Sequence, residues 1–295
     1  MPTVLITGIN GFTGRYMARE FFSEGYTVVG LDDNATDGVI CCNLLDRIGL
    51  LEILIQTKPD VVVHLAGIAF VGHGDADEIY RTNVVGTRNL LESIVKSGSK
   101  PKSVLLASSA NVYGNAIESI DETTVASPMN DYAVSKLSME YMARLWFDQL
   151  PITLVRPFNY TGVGQSLSFL LPKIVDHFRR LAPVIELGNL DVIRDFSDVR
   201  SVVKCYRRLV ESGVSGEVFN ICSGQGYSLL EVIQMMREIT SHNIEILVNP
   251  NFVRVGEVHR QVGSRVKLVS AIGVVSNVSL MDTLKWMLES DGGND

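Results

Sequence analysis

The feature that most constrains how this chain can fold is a glycine triad, Gly8-x-x-Gly11-x-x-Gly14, lying between the apolar run 3–7 and the amphipathic stretch 14–23. Glycines at that spacing allow a tight turn, a close approach of backbone to a pyrophosphate and close packing of the helix that starts there, whose N-terminus then faces negative charge. The triad predicts a strand, a phosphate-binding turn and a helix, with Gly8, Asn10, Gly11, Phe12, Thr13 and Gly14 around a dinucleotide. An ordinary strand-to-helix turn would use the same glycines; their place between two such elements favours the ligand.

The first half of the chain keeps that rhythm. Strand-like residues 27–31, 60–66, 103–107 and 152–155 alternate with helix-like residues 79–96 and 131–150, the pattern of a parallel sheet. Val61-Val62-Val63-His64-Leu65-Ala66 is apolar almost throughout, as expected of a strand covered on both faces. The predicted fold class is α/β, a doubly wound parallel sheet with a smaller C-terminal lobe. Residues 1–157 are expected to form a dinucleotide-binding domain, and 158–197 with 223–295 the smaller lobe, because the pattern loosens after Arg156. Residues 199–212 and 218–222 read as a helix and a buried strand, so 198–222 is expected to return and complete the first sheet.

Composition narrows the partners. Of 295 residues, 46% are hydrophobic, enough for a sizeable core. A net charge of −7 argues against a broad nucleic-acid surface. Cys41, Cys42, Cys205 and Cys222 lack metal-ligand or redox spacing, so they read as core residues in a reducing cytoplasm and no metal is expected. The N-terminus enters a strand without a basic leader, and no apolar stretch reaches the roughly 18 residues a membrane span needs. The expectation is a cytoplasmic enzyme with no nucleic-acid or membrane partner.

Tyr132 and Lys136 stand four apart and share one face of the helix 131–150. An ammonium beside a phenol favours phenolate, which is expected to draw the tyrosine pKa down from about 10. Asn130 or Ser127 would cap that helix, near whose positive end a phenolate gains stability. Such a pair also occurs on ordinary helix surfaces. Ser109 supplies context, because it follows strand 103–107 at the sheet edge where doubly wound folds bind ligands. Asp32, about 20 residues beyond the triad, can accept hydrogen bonds from an adenosine ribose. Its charge favours NAD(H) over the 2′-phosphorylated NADP(H), while Arg15 is close enough in sequence to keep NADP(H) open.

Together these motifs resemble the extended short-chain dehydrogenase/reductases that act on nucleotide-sugars, over almost the whole chain from Gly8 to Arg254-Val255-Gly256-Glu257. The resemblance implies a Rossmann-type fold in which Ser109 orients the sugar oxygen, Tyr132 exchanges the proton, and Lys136 binds nicotinamide ribose while lowering the tyrosine pKa. It implies further cofactor contacts at Asn43, Leu44, Leu65, Ala66 and Gly67, with Asn83 supporting the active site. Asn43 stands where the family usually has an aspartate against adenine; an amide oxygen can still accept from an amino group. Implied substrate contacts are Ser109, Ala110, Asn111, Asn159, Arg194, Arg254 and Glu257, the two arginines matching a diphosphate. A homodimer through helices 79–96 and 131–150 is also implied.

Ala110 and Asn111 stand where the family's 4,6-dehydratases carry an acidic group, so dehydration is disfavoured. Ser108 and Phe169 occupy the positions of the cysteine and histidine of its epimerase/reductases, which disfavours inversion at C3 and C5. His64, His73 and His177 read as structural. Hydride exchange at C4 remains, by a 4-keto reductase or a 4-epimerase. Residues 159–167, 188–198 and 220–224 are most similar to the family's reductases of GDP-4-keto-6-deoxy-D-mannose, which form GDP-D-rhamnose, so a GDP-sugar is the favoured substrate. A dTDP- or UDP-ketosugar reductase, an NAD-dependent 4-epimerase and a non-catalytic dinucleotide sensor stay open.

Overall fold

Strands β1 (Thr3–Thr7), β2 (Thr27–Asp32), β3 (Val39–Cys41), β4 (Val61–His64), β5 (Ser103–Ala107) and β6 (Ile152–Pro157) run parallel in a computed structural model. The structure describes residues 1–69, 75–115, 119–252 and 258–290. After β7 (Asn159–Thr161), β8 (Val184–Leu187) and β9 (Ile193–Asp198), the chain returns as β10 (Glu217–Ile221), which pairs with β6. The seven-stranded order is β10-β6-β5-β4-β1-β2-β3. Winding reverses between β1 and β4, so the crevice at their C-terminal ends is where such a sheet binds ligands. Gly8 follows β1 and Leu65 to Gly67 follow β4 at that crevice.

Side-chain alternation distributes the core to both faces. Val4, Ile6, Val61, Val63, Leu105 and Val155 pack with Met17 and Phe21 of α1 (Phe12–Ser23) and Val202, Tyr206 and Leu209 of α7 (Val199–Ser212). Leu5, Val62, Val104, Leu106 and Leu154 point the other way, onto α2 (Arg47–Thr57), α4 (Thr87–Lys96) and α5 (Asp131–Arg144). Each fully buried aliphatic side chain contributes about 1.5–3 kcal/mol relative to exposure. The continuous apolar run 61–63 follows directly from this, since both faces are dry.

The elements after β6 gather round a separate apolar cluster. α6 (Leu170–Arg179), α8 (Leu229–Thr240) and α10 (Leu280–Glu289) contribute Ile174, Phe178, Val232, Ile233 and Leu284 to it. β9 pairs with β7, β11 (Gly226–Ser228) and β13 (Arg260–Gln261), and β8 pairs with β12 (Glu245–Val248). α9 (Val266–Ile272) sends Leu268 back onto the large sheet. A fourth set, Ala110, Val112, Tyr113, Ile120, Phe158 and Cys222, packs together with Leu137 of α5.

Two expected helices differ from their predicted extents. Residues 79–96 are not one α-helix: α3 (Ala76–Tyr80) runs into a π-helical segment, Arg81–Gly86, before α4. The wider turn carries Asn83 to 1% exposure, where its Oδ1 accepts from Ile68 N at 2.9 Å and its Nδ2 donates to Ser135 Oγ at 3.0 Å. α5 stops at Arg144, and the turns up to Leu150 precede Pro151, which disfavours helical backbone at the residue before it.

Candidate active site

Glycine identity at the first turn is dictated by space. Gly8 has φ +72°, and a Cβ there would lie 2.7 Å from Ala66 N. A Cβ on Gly14 would lie 2.6 Å from Ile9 Cα, so only glycine lets α1 start this close to β1. The first-turn N–H groups of α1 have no intrahelical partner and no side-chain cap, the kind of helix end that can receive an anion. Asp32, at the end of β2, accepts from Asn10 N and Asn34 N, each at 3.1 Å. A bare-backbone turn, a helix N-terminus and a carboxylate one strand away fit a dinucleotide.

The second half of the crevice is built by β5 and α5. Asn130 caps α5, its side chain accepting from Ala133 N at 2.9 Å; Ser127 plays no such part. That cap sets Tyr132 and Lys136 pointing toward β5, and each is 7% exposed. Ser109 is extended (φ −159°, ψ 146°) and starts a short 3-10 turn, its Oγ accepting from Asn111 N at 3.2 Å. Its hydroxyl also lies near enough to the Tyr132 phenol to favour the phenolate. The structure thus brings Ser109, Tyr132 and Lys136 together.

Electrostatics correct one expectation. Burial pushes the Tyr132 phenol up to about 12, with the nearby Ser109 hydroxyl opposing it. Burial likewise pushes Lys136 down to about 8, opposed by the charge of Glu140. Lys136 Nζ donates to Ala107 O at 2.9 Å. The protein alone therefore holds a neutral phenol, because desolvation outweighs the opposing influence of the Ser109 hydroxyl.

A family model described as the NAD dependent epimerase/dehydratase family matches residues 4–222. The chain belongs to this family. It is 36% identical over 274 residues to the GDP-6-deoxy-D-talose 4-dehydrogenase of Aggregatibacter actinomycetemcomitans, covering 92% of this chain and 91% of that one. It is 31% identical over 302 residues to the GDP-6-deoxy-D-mannose reductase of Pseudomonas aeruginosa, covering 97% and 95%. The solved structure of RMD from Pseudomonas aeruginosa complexed with NADPH superposes with a TM-score of 0.87 at 29% identity over 98% of each chain. The protein is an NAD(P)-dependent enzyme of the epimerase/dehydratase family.

Other predicted positions of this epimerase/dehydratase chain are placed as follows. Asn43 Oδ1 accepts from Leu45 N at 2.8 Å, and Leu44 packs against Gly86. Gly67 lies beside Asn83 and Lys136. Arg15, the candidate for a 2′-phosphate, donates to Gly164 O at 3.2 Å. Asn159 donates to Asp195 O at 3.5 Å, and Arg194 donates to Ile193 O at 3.1 Å. His73, Arg254 and Glu257 lie outside the described residues. His64 and His177 are engaged structurally, His64 with Thr7 and Thr87, His177 with Lys173 O.

Sequence reasoning missed the layer beneath. Glu140 is fully buried and clamped by Arg156, and it accepts from Ser108 Oγ at 2.5 Å. Gln261 of β13 donates to Ala110 O at 3.0 Å, tying the smaller sheet to the turn after Ser109. Asp195 accepts from Ser223 N, Ser223 Oγ, Gly224 N and Gly263 N. The available signal was a glutamate four residues after Lys136, on the same helix face.

Proposed function

We propose that this protein reduces the 4-keto group of a GDP-linked 4-keto-6-deoxy sugar, with GDP-4-keto-6-deoxy-D-mannose as substrate. The observation that carries the reading is the Ser109–Tyr132–Lys136 cluster with Ala110 and Asn111 beside it, neither an acid nor a base. A reduced nicotinamide, when bound, supplies the hydride. Tyr132, held as a neutral phenol, gives its proton to the carbonyl oxygen as that oxygen becomes an alkoxide. Ser109 donates to the same oxygen, and a charged Lys136 stabilises the phenolate left behind.

The names of the two relatives place both on GDP-linked 6-deoxyhexoses. D-talose and D-mannose differ only at C4, so one 4-ketone is the precursor of either configuration. The D-manno product, GDP-D-rhamnose, is favoured by the resemblance of residues 159–167, 188–198 and 220–224. Identity of 36% against 31% favours a second reading, with GDP-6-deoxy-D-talose as product.

NAD(H) is the favoured coenzyme on this reading, because the Asp32 carboxylate is held at the end of β2 while Arg15 is engaged with Gly164 O. Residues 1–157 with 198–222 hold the dinucleotide, and 158–197 with 223–295 hold the sugar nucleotide, through Asn159, Arg194, Arg254 and Glu257. Val85 in the π-helical segment, Tyr141 on α5 and Leu145 just past its end are exposed apolar side chains, which supports a homodimer through this region. Free cysteines at 41, 42, 205 and 222 support a reducing, cytoplasmic setting.

The test is turnover with GDP-, dTDP- and UDP-linked 4-keto-6-deoxy sugars, with NADH or NADPH and the product configuration read by NMR. Consumption of reduced coenzyme over many turnovers with the GDP ketosugar is expected. No consumption with any ketosugar, or interconversion of C4 epimers without net redox change, refutes the proposal.

A further inference from the structure

Directly under Ser109 and Lys136 lies a buried ion pair that the chemistry above leaves unused. Glu140 on α5 is 0% exposed and Arg156 on β6 is 5% exposed. Glu140 Oε1 accepts from Ser108 Oγ at 2.5 Å and from Arg156 Nε at 2.9 Å, and Oε2 accepts from Arg156 Nη2 at 2.6 Å. The guanidinium lies 4.7 Å above the Tyr113 ring, whose hydroxyl donates to Asn220 Oδ1 at 2.7 Å. Contacts therefore run without a gap from the catalytic helix through the ends of β5, β6 and β10. A buried pair of this kind adds little stability over an apolar replacement of equal volume, so fold stability alone does not account for its position.

We propose that Glu140 is a positioning residue, holding Ser109 through Ser108 and placing a fixed negative charge one helical turn from Lys136. The inference rests on the roles given above to Ser109, Tyr132 and Lys136. Ser108 is pinned at both polar groups, since its N–H donates to Val155 O at 2.8 Å while its hydroxyl donates to Glu140. Ser109, the next residue, is thereby fixed in its extended conformation against Tyr132. The titratable groups that act on Lys136 or feel its charge are Glu140 from its own helix and His64 from β4. His64 is neutral, so Glu140 supplies the charge that opposes the burial of the ammonium.

Three variants separate positioning from simple packing. Glu140→Gln removes the charge and leaves Arg156 uncompensated, so Lys136 loses its proton at lower pH. The alkaline limb of kcat/KM is expected to move down by about one pH unit, and kcat to fall about tenfold. NADH affinity followed by fluorescence across pH reads the same limb without turnover. Glu140→Asp keeps the charge but is too short for Ser108, so it keeps the limb and loses kcat. Ser108→Ala lowers kcat about tenfold and leaves the limb and KM in place.

A Glu140→Gln protein with wild-type limb and kcat, changed only in melting temperature, overturns the proposal. Wild-type kcat in Ser108→Ala overturns it equally, and decides the matter if Glu140→Gln does not fold. Absence of turnover by the wild type with every ketosugar refutes the proposed function instead, and the NADH-binding limb still tests Glu140.

Discussion

Replacing His64 by glutamine removes an imidazole that is buried between β1 and α4 and changes how the fold responds to acid. Thr87 Oγ1 donates to Asn83 O at 2.7 Å, so it accepts from His64 Nε2 at 2.8 Å. His64 Nδ1 then accepts from Thr7 Oγ1 at 2.7 Å, and Thr7 Oγ1 itself accepts from Ala66 N at 3.2 Å. Protonating Nδ1 would set two donors against each other inside the sheet. Burial, with the charge of Lys136 adding, holds the imidazole from its usual 6.5 down to about 3. A folded-state pKa depressed below the unfolded value means that stability is full above about pH 6.5 and is lost as pH falls toward 3. Between pH 8 and pH 5 the unfolded chain takes up nearly one proton that the native chain refuses, a loss of about 2 kcal/mol. Any native value below about 4 gives nearly the same loss at pH 5. Urea unfolding of wild type and His64→Gln at both pH values measures it, because the fixed packing cost of the substitution cancels in the difference. The wild type should lose about 2 kcal/mol more than the variant. Equal losses in the two proteins would show that His64 is not the neutral, doubly bonded group described.

Other substitutions probe the remaining parts. Gly14→Ala places a Cβ 2.6 Å from Ile9 Cα, so the first turn of α1 must shift; NADH affinity should fall at least about tenfold and stability by about 1–3 kcal/mol. Unchanged fluorescence titration and melting would contradict the close packing of the turn. Asp195→Asn turns one amide N–H toward donors now bound by the carboxylate, among them Gly224 N at 2.9 Å; a loss of about 2–4 kcal/mol is expected in urea unfolding. Tyr132→Phe should reduce turnover at least about a hundredfold and leave NADH binding intact, and retained turnover would remove Tyr132 from its role.

Local pattern was enough for most of the large sheet. β1, β5 and α7 have their predicted bounds, and β10 lies within one residue of its expected place. The return of 199–212 and 217–221 to that sheet was legible because a buried strand and an amphipathic helix keep their periods wherever they pack. The π-helical segment around Asn83 was not legible. Its extra residue per turn answers to Ile68 and Ser135, which are distant in sequence. The small sheet round β9 was equally hidden, since its partners β7, β11 and β13 have only two or three residues each and carry too little periodicity to read.

At the candidate site, the sequence by itself determined which groups are on offer: a glycine turn between a strand and a helix, a carboxylate at the end of β2, and a serine, tyrosine and lysine at motif spacing. Those signals are local, and each depends on neighbours within a helical turn or a tight loop. Only the tertiary structure decided how they are charged. The spacing of Tyr132 and Lys136 suggested an acidified phenol, whereas burial at the junction of β5 and α5 leaves it neutral with a pKa of about 12. The tertiary structure alone also brought Glu140 against Arg156 and Ser108, across three separate elements. Desolvation depends on everything that surrounds a group, and a linear spacing records only what lies beside it along the chain.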